Sequence, residues 1–98
     1  MFEDFTEFEL HTVQRCMIAT ADGPFFPDWE FETLFGVTRE KLRQAAIAWP
    51  SAETVCAARV TLNQLTGYPH GLESVLQQDV GATPDDLVRL LNRFSSNE

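Results

Sequence analysis

The sequence predicts an all-α protein, a compact single-domain bundle of about six short-to-medium helices with the first helix at its centre. Three observations lead there. Helix-stopping and helix-capping residues alternate along the chain, apolar residues between them recur in steps of three and four, and no run alternates apolar with polar residues as a half-buried strand would. The 98 residues, 44% hydrophobic and 22% charged, suit one domain able to bury a core without disulfides or metal. Such a domain should span residues 1–94, unfold in a two-state manner and leave residues 95–98 frayed.

Punctuation marks each element in turn. Asp4 is placed to cap a helix reaching about Ala21, stopped by Asp22-Gly23-Pro24. Phe25-Phe26-Pro27 is a short extended link. Asp28 is the expected N-cap of a helix over 29–35 that Gly36 closes. Thr38 caps the next helix, ended at Trp49-Pro50 because a residue before proline resists helical geometry. Ser51 opens a longer helix to Thr66, closed by Gly67, and Tyr68-Pro69-His70-Gly71 is a rigid turn. A short helix covers 72–79. Thr83-Pro84-Asp85-Asp86 then supplies an N-cap, a proline at the first helical position and acids in the first turn, starting a helix to about Phe94. Val55, Ala58, Leu62 and Leu65 form one apolar stripe; Leu87, Leu90, Leu91 and Phe94 form another.

The first helix carries apolar residues over more than half its circumference, including Phe2, Phe5, Phe8, Leu10, Val13, Cys16, Met17 and Ala19. So wide an arc implies packing on more than one side. Glu9 falls near the middle of it. A carboxylate there needs a cation, with Arg59 a candidate partner, unless the arc splits or that face is an interface. The phrase at Gly36-Val37-Thr38 recurs at Gly81-Ala82-Thr83, with Leu42 matching Leu87 and Trp49 matching Phe94. Both read as one solution to ending a helix and capping the next, or as a faint duplication.

The net charge is −8, unevenly spread. Residues 1–32 hold eight carboxylates against Arg15 alone, or −7; residues 33–98 hold seven against six cations, or −1. This field opposes phosphate backbones and favours encounter with a basic partner, although acids also serve first helical turns and keep a small protein dispersed. No run approaches a membrane span. The acidic start Met1-Phe2-Glu3-Asp4 is unlike a secretory signal, so a cytoplasmic location is expected. The phrases at 22–35 and 67–71 resemble those of small bacterial proteins and imply no particular family or activity.

Catalytic and metal chemistry have little to build on. Cys16, Cys56, His11 and His70 show no metal-ligand spacing, and both thiols are expected to be reduced core residues. No nucleophile elbow or phosphate-cradling glycine loop occurs. No cofactor, metal or enzymatic activity is expected. The helix-turn-helix shape of 31–48 brings Arg39, Lys41 and Arg43 together as the one basic cluster. Against nucleic acid stand the total charge, Glu32 where a tight helix crossing wants a small side chain, and the acids of 84–86.

The leading expectation is therefore a non-enzymatic, acidic protein–protein interaction module that binds a basic partner, such as an immunity-type inhibitor or a small adaptor. The alternatives are a helix-turn-helix-like nucleic-acid-binding regulator and a small homo-oligomeric structural protein. The expected contact surface is the proline-stiffened loop and helix carrying Asp22, Phe25, Phe26, Asp28, Trp29, Glu30 and Glu32, with Tyr68 and His70 on the second rigid turn. Its aromatics serve either as anchors or as part of the domain's own core.

Overall fold

Thr6, not Asp4, starts the first helix. Its hydroxyl accepts the backbone N–H of Glu9, and Glu9 Oε1 accepts the backbone N–H of Thr6 in return at 2.9 Å. This reciprocal pair satisfies two donors that a helix start otherwise leaves bare. From it runs α1 (Glu7–Asp22). The computed structural model describes residues 5–23, 25–67 and 71–96; the proposed Asp4 cap and the turn residues Tyr68 and His70 lie outside them.

Next come α2 (Asp28–Phe35), α3 (Arg39–Ala48), a single 3₁₀ turn at Ala52–Thr54, α4 (Val55–Gly67), α5 (Glu73–Val80) and α6 (Pro84–Ser96). There is no strand among the described residues, and the all-α bundle is as the sequence indicates. Three boundaries differ. Pro27 occupies the N-cap of α2 without a side-chain hydrogen bond, and Asp28 is the first helical residue. Ser51 and Thr54 bond each other across the 3₁₀ turn, so the long helix begins at Val55. The last helix extends to Ser96, two residues past Phe94.

The two Gly-x-Thr phrases share one geometry. Gly36 and Gly81 adopt left-handed φ of 74° and 71°, which a Cβ would disfavour. Their N–H groups bond the carbonyls of Glu32 and Gln77, and Thr38 and Thr83 each cap the helix that follows. The aligned Trp49 and Phe94 are both buried and pack together with ring centroids 5.9 Å apart.

Helix α1 is central. It packs against α3, α4 and α5, burying Thr12, Val13, Cys16, Met17, Thr20 and Ala21. Its buried arc is narrower than the apolar residues suggested, since Phe8 is 71% exposed. Helix α3 runs antiparallel to it. Arg39, at the start of α3, reaches the last turn of α1, while Gln14 donates to the carbonyl of Ala46 at 2.8 Å and the Trp49 indole N–H to that of Leu10 at 3.0 Å. Ala58, Leu62 and Leu65 of α4 and Leu87, Leu90 and Phe94 of α6 face inward, as their spacing requires.

Glu9 is half-buried at the edge of that arc and is paired, with Arg93 rather than Arg59. Arg93 also stacks over the Phe5 ring at 4.5 Å, and Phe5 lies 5.1 Å from Phe94. This clamp holds the approach to α1 against α6. Burial pushes the Glu9 carboxyl up, but the backbone N–H of Thr6 and the hydrogen bond and charge of Arg93 outweigh it, leaving the pKa below the ordinary value.

The cysteines part company. Cys16 is in the core, where burial raises its pKa to about 12, whereas Cys56 is exposed. The inward stripe of α4 follows Ala58, Leu62 and Leu65, and Cys56 lies two residues, or roughly 200°, from Ala58.

Three outcomes are expected. Arg39→Ala removes hydrogen bonds to three backbone carbonyls and should lower unfolding free energy by about 2–4 kcal/mol, with Arg39→Lys recovering only part because an ammonium lacks the planar fork; urea unfolding measures both. Thiol titration of the native protein should count one fast group, Cys56, and a second only in denaturant. Because the folded-state pKa of Glu9 is depressed, its stabilisation is present above the ordinary glutamate range and lost as pH falls below it. Glu9→Gln should therefore be less stable at pH 7 and show a shallower loss of melting temperature on acidification.

Candidate functional site

Aromatic packing settles the loop first. Phe25 and Phe26 are 2% and 3% exposed and belong to the core, so they are not the contact residues expected of them. Phe26 meets Phe35 edge-on at 4.9 Å, and Phe35 stacks on Phe31 at 4.5 Å. Arg39 covers the other side of this aromatic group, 4.5 Å from the Phe31 centroid.

Arg39 is held on every side. Its Nε donates to Asp28 Oδ1 at 2.8 Å, one terminal nitrogen donates to the carbonyls of Thr20 and Ala21 at 3.2 Å, and the other to that of Phe26 at 2.6 Å. Arg43 donates to Asp22 and to Glu40. Two members of the basic cluster are thus bound to the loop next to them. Lys41 alone is exposed without an acid partner among the described residues. The same pairs neutralise Asp22 and Asp28, two of the expected contact acids. Asp28→Lys would set a cation against Arg39 and is a poor probe of any outer surface.

Trp29 is the opposite case. It is 80% exposed, not a core ring, and its removal opens no cavity. The reason is periodicity. Phe31, Leu34 and Phe35 define the inward face of α2, and Trp29 lies roughly 200° around the helix from Phe31. Glu32 and Thr33 share its solvent face. Glu30 is half-buried and already engaged within the fold. Of the nine expected contact residues, the structure brings Asp28, Trp29 and Glu32 to one outward face, turns Phe25 and Phe26 inward and ties Asp22 to α3.

Sequence reasoning passed over Ile47, 74% exposed on α3. Its signal was its position one residue past Ala46, roughly 100° around the helix from Ala46 and 140° from Leu42. A groove of about 270 Å³ between α1 and α6 is lined by Phe8, Thr12, Ala82 and Leu90, with Glu9, Asp86 and Arg89 nearby. Its carboxylates are committed: Glu9 to Arg93, and Asp86 to the backbone N–H of Thr83 and to Arg89. The Thr83 hydrogen bonds lower the Asp86 pKa. No three His, Cys, Asp or Glu side chains among the described residues gather as metal ligands would, and no helix of the described residues is long and apolar enough to cross a membrane. Comparison with known proteins finds no matching family model, no matching curated protein and no matching solved structure.

Proposed function

We propose that this domain is a non-enzymatic protein-binding module that uses an acidic surface to recognise a basic partner. The observation that carries the reading is what remains once internal pairing is complete. Glu7, Glu32, Glu53, Asp79 and Asp85 are exposed and take part in no ion pair among the described residues, whereas Arg39, Arg43, Arg89 and Arg93 are each held by a carboxylate. Each pair removes a carboxylate together with its cation, so the net excess of acid, −8 in all, is carried by these unpaired carboxylates, against the exposed Arg15 and Lys41. The resulting field speeds the encounter of a positively charged partner. Phe8, Trp29 and Ile47, each more than 70% exposed, add apolar contact area of the kind found at the centres of interfaces.

The internal use of Arg39 and Arg43 weighs against nucleic-acid binding, since a basic footprint comes first in that recognition. Net charge of −8 on every copy weighs against self-assembly through the acidic face.

The test is capture of partners on immobilised protein at low ionic strength, identification by mass spectrometry, and association kinetics with the purified partner at two salt concentrations. Glu7→Lys combined with Glu32→Lys should slow association several-fold and flatten its salt dependence. An acidic partner, or unchanged rates with a folded variant, contradicts the proposal.

A further inference from the structure

The fold twice builds the same three-part contact. Asp28 and Phe31, three residues apart, receive Arg39, which bonds the carboxylate and stacks on the ring. Phe5 and Glu9, four residues apart, receive Arg93 in the same way. Both combine a charge-assisted hydrogen bond with attraction of the guanidinium to the negative face of the ring.

A third aromatic–carboxylate pair, Trp29 with Glu32, stands at the same three-residue spacing on the solvent face of α2. It takes no arginine from its own chain: neither residue has an ion pair, ring contact or cation stack among the described residues. Spacings of three and four residues set side chains side by side on a helix. Indole is also the ring that attracts cations most strongly.

The backbone beneath the pair is fixed. Phe31 and Phe35 anchor α2 in the core, Asp28 is tied to Arg39, and the Gln64 side chain donates to the carbonyl of Leu34 at 3.3 Å. Little would need ordering on binding, which favours affinity. Helix α2 carries no base, and with Asp28 tied to Arg39 and Glu30 engaged within the fold, Glu32 is its carboxylate left open to a partner.

We infer that Trp29 and Glu32 form a receptor for an arginine side chain presented by a basic partner segment. The inference rests on the basic-partner reading and gives it a contact point. Charge complementarity selects the occupant. A second copy of this chain is a poor donor, because each copy brings −8 and four of its six arginines, Arg39, Arg43, Arg89 and Arg93, already hold a carboxylate. Arginine is preferred to lysine because its planar guanidinium can stack and bond a carboxylate at once.

The probe is an octa-arginine peptide, with octa-lysine for comparison, titrated at low salt into ¹⁵N-labelled protein. The Trp29 indole N–H resonance should move while that of buried Trp49 stays, and octa-arginine should bind more tightly than octa-lysine. Trp29→Ala, confirmed folded by its unchanged melting temperature, should weaken octa-arginine binding about tenfold. Trp29→Phe should restore most of it. Glu32→Gln should weaken it by about threefold and Glu53→Gln, an equal loss of charge elsewhere, by less than twofold.

Binding that survives Trp29→Ala, or a Glu53→Gln effect equal to that of Glu32→Gln, overturns the receptor and leaves the basic-partner reading standing. Equal binding of the two peptides removes the preference for arginine and overturns the inference as stated. A Trp29 resonance that shifts with protein concentration alone assigns the face to self-association and overturns it too. No octa-arginine binding at low salt removes the basic-partner reading and the receptor with it.

Discussion

The guanidinium of Arg39 joins three segments of this molecule. It lies on α3, yet its bonds end on α1, on the link carrying Phe26, and on α2. A helix end leaves carbonyls without intrahelical partners and concentrates partial negative charge there. Helix α1 has no basic residue in its last turn, so α3 supplies the missing donor and charge. One planar group thereby sets the antiparallel pairing of α1 and α3 and seals the aromatic stack of Phe31, Phe35 and Phe26. The position of α2, and so the outward direction of Trp29, follows from it.

This constraint changes what the charge distribution means. Along the chain, the excess of acid lies in the first third. In three dimensions, cations from later segments fold back onto that third: Arg39 onto Asp28, Arg43 onto Asp22 and Arg93 onto Glu9. The acid-rich loop is substantially neutralised by the structure it belongs to. The carboxylates left facing solvent are scattered over several elements, and Glu32 stands three residues from the exposed Trp29 on one helix face. Recognition in this account depends less on a broad field than on a local pairing of ring and carboxylate. The field speeds encounter, while the pairing decides which cation is retained.

Local chemistry was legible wherever it is written in adjacent residues. Thr38, Thr83 with Pro84, and the left-handed caps Gly36 and Gly81 are short-range signals, and each stands where the sequence placed it. The stripe of α4 and that of α6 followed from spacing alone. What failed depended on partners distant in sequence or on a choice between neighbouring caps. Asp4 and Thr6 are both competent caps with a glutamate three residues on, Glu7 and Glu9, so the local pattern does not choose between them; the reciprocal pair forms at Thr6 and Glu9. Arg93 is 84 residues from Glu9, and nothing local distinguishes it from Arg59. Trp29 was treated with Phe25 and Phe26 as one aromatic run. The run crosses a helix start, and once helical period applies, Trp29 separates from Phe31. Cys56 fell to the same arithmetic on α4.

The claim on which the rest depends is that Arg39 is immobilised between α1, α2 and α3. Arginine guanidinium groups in solvent rotate and exchange protons rapidly, and their signals average. A ¹⁵N-resolved spectrum of the arginine side chains reads this directly. The account predicts an Arg39 Nε–H resonance that is separate, shifted by the ring current of Phe31 and slow to exchange with water, unlike that of Arg89, which is largely exposed on α6. An Arg39 signal that coincides with Arg89 and exchanges as quickly would contradict it.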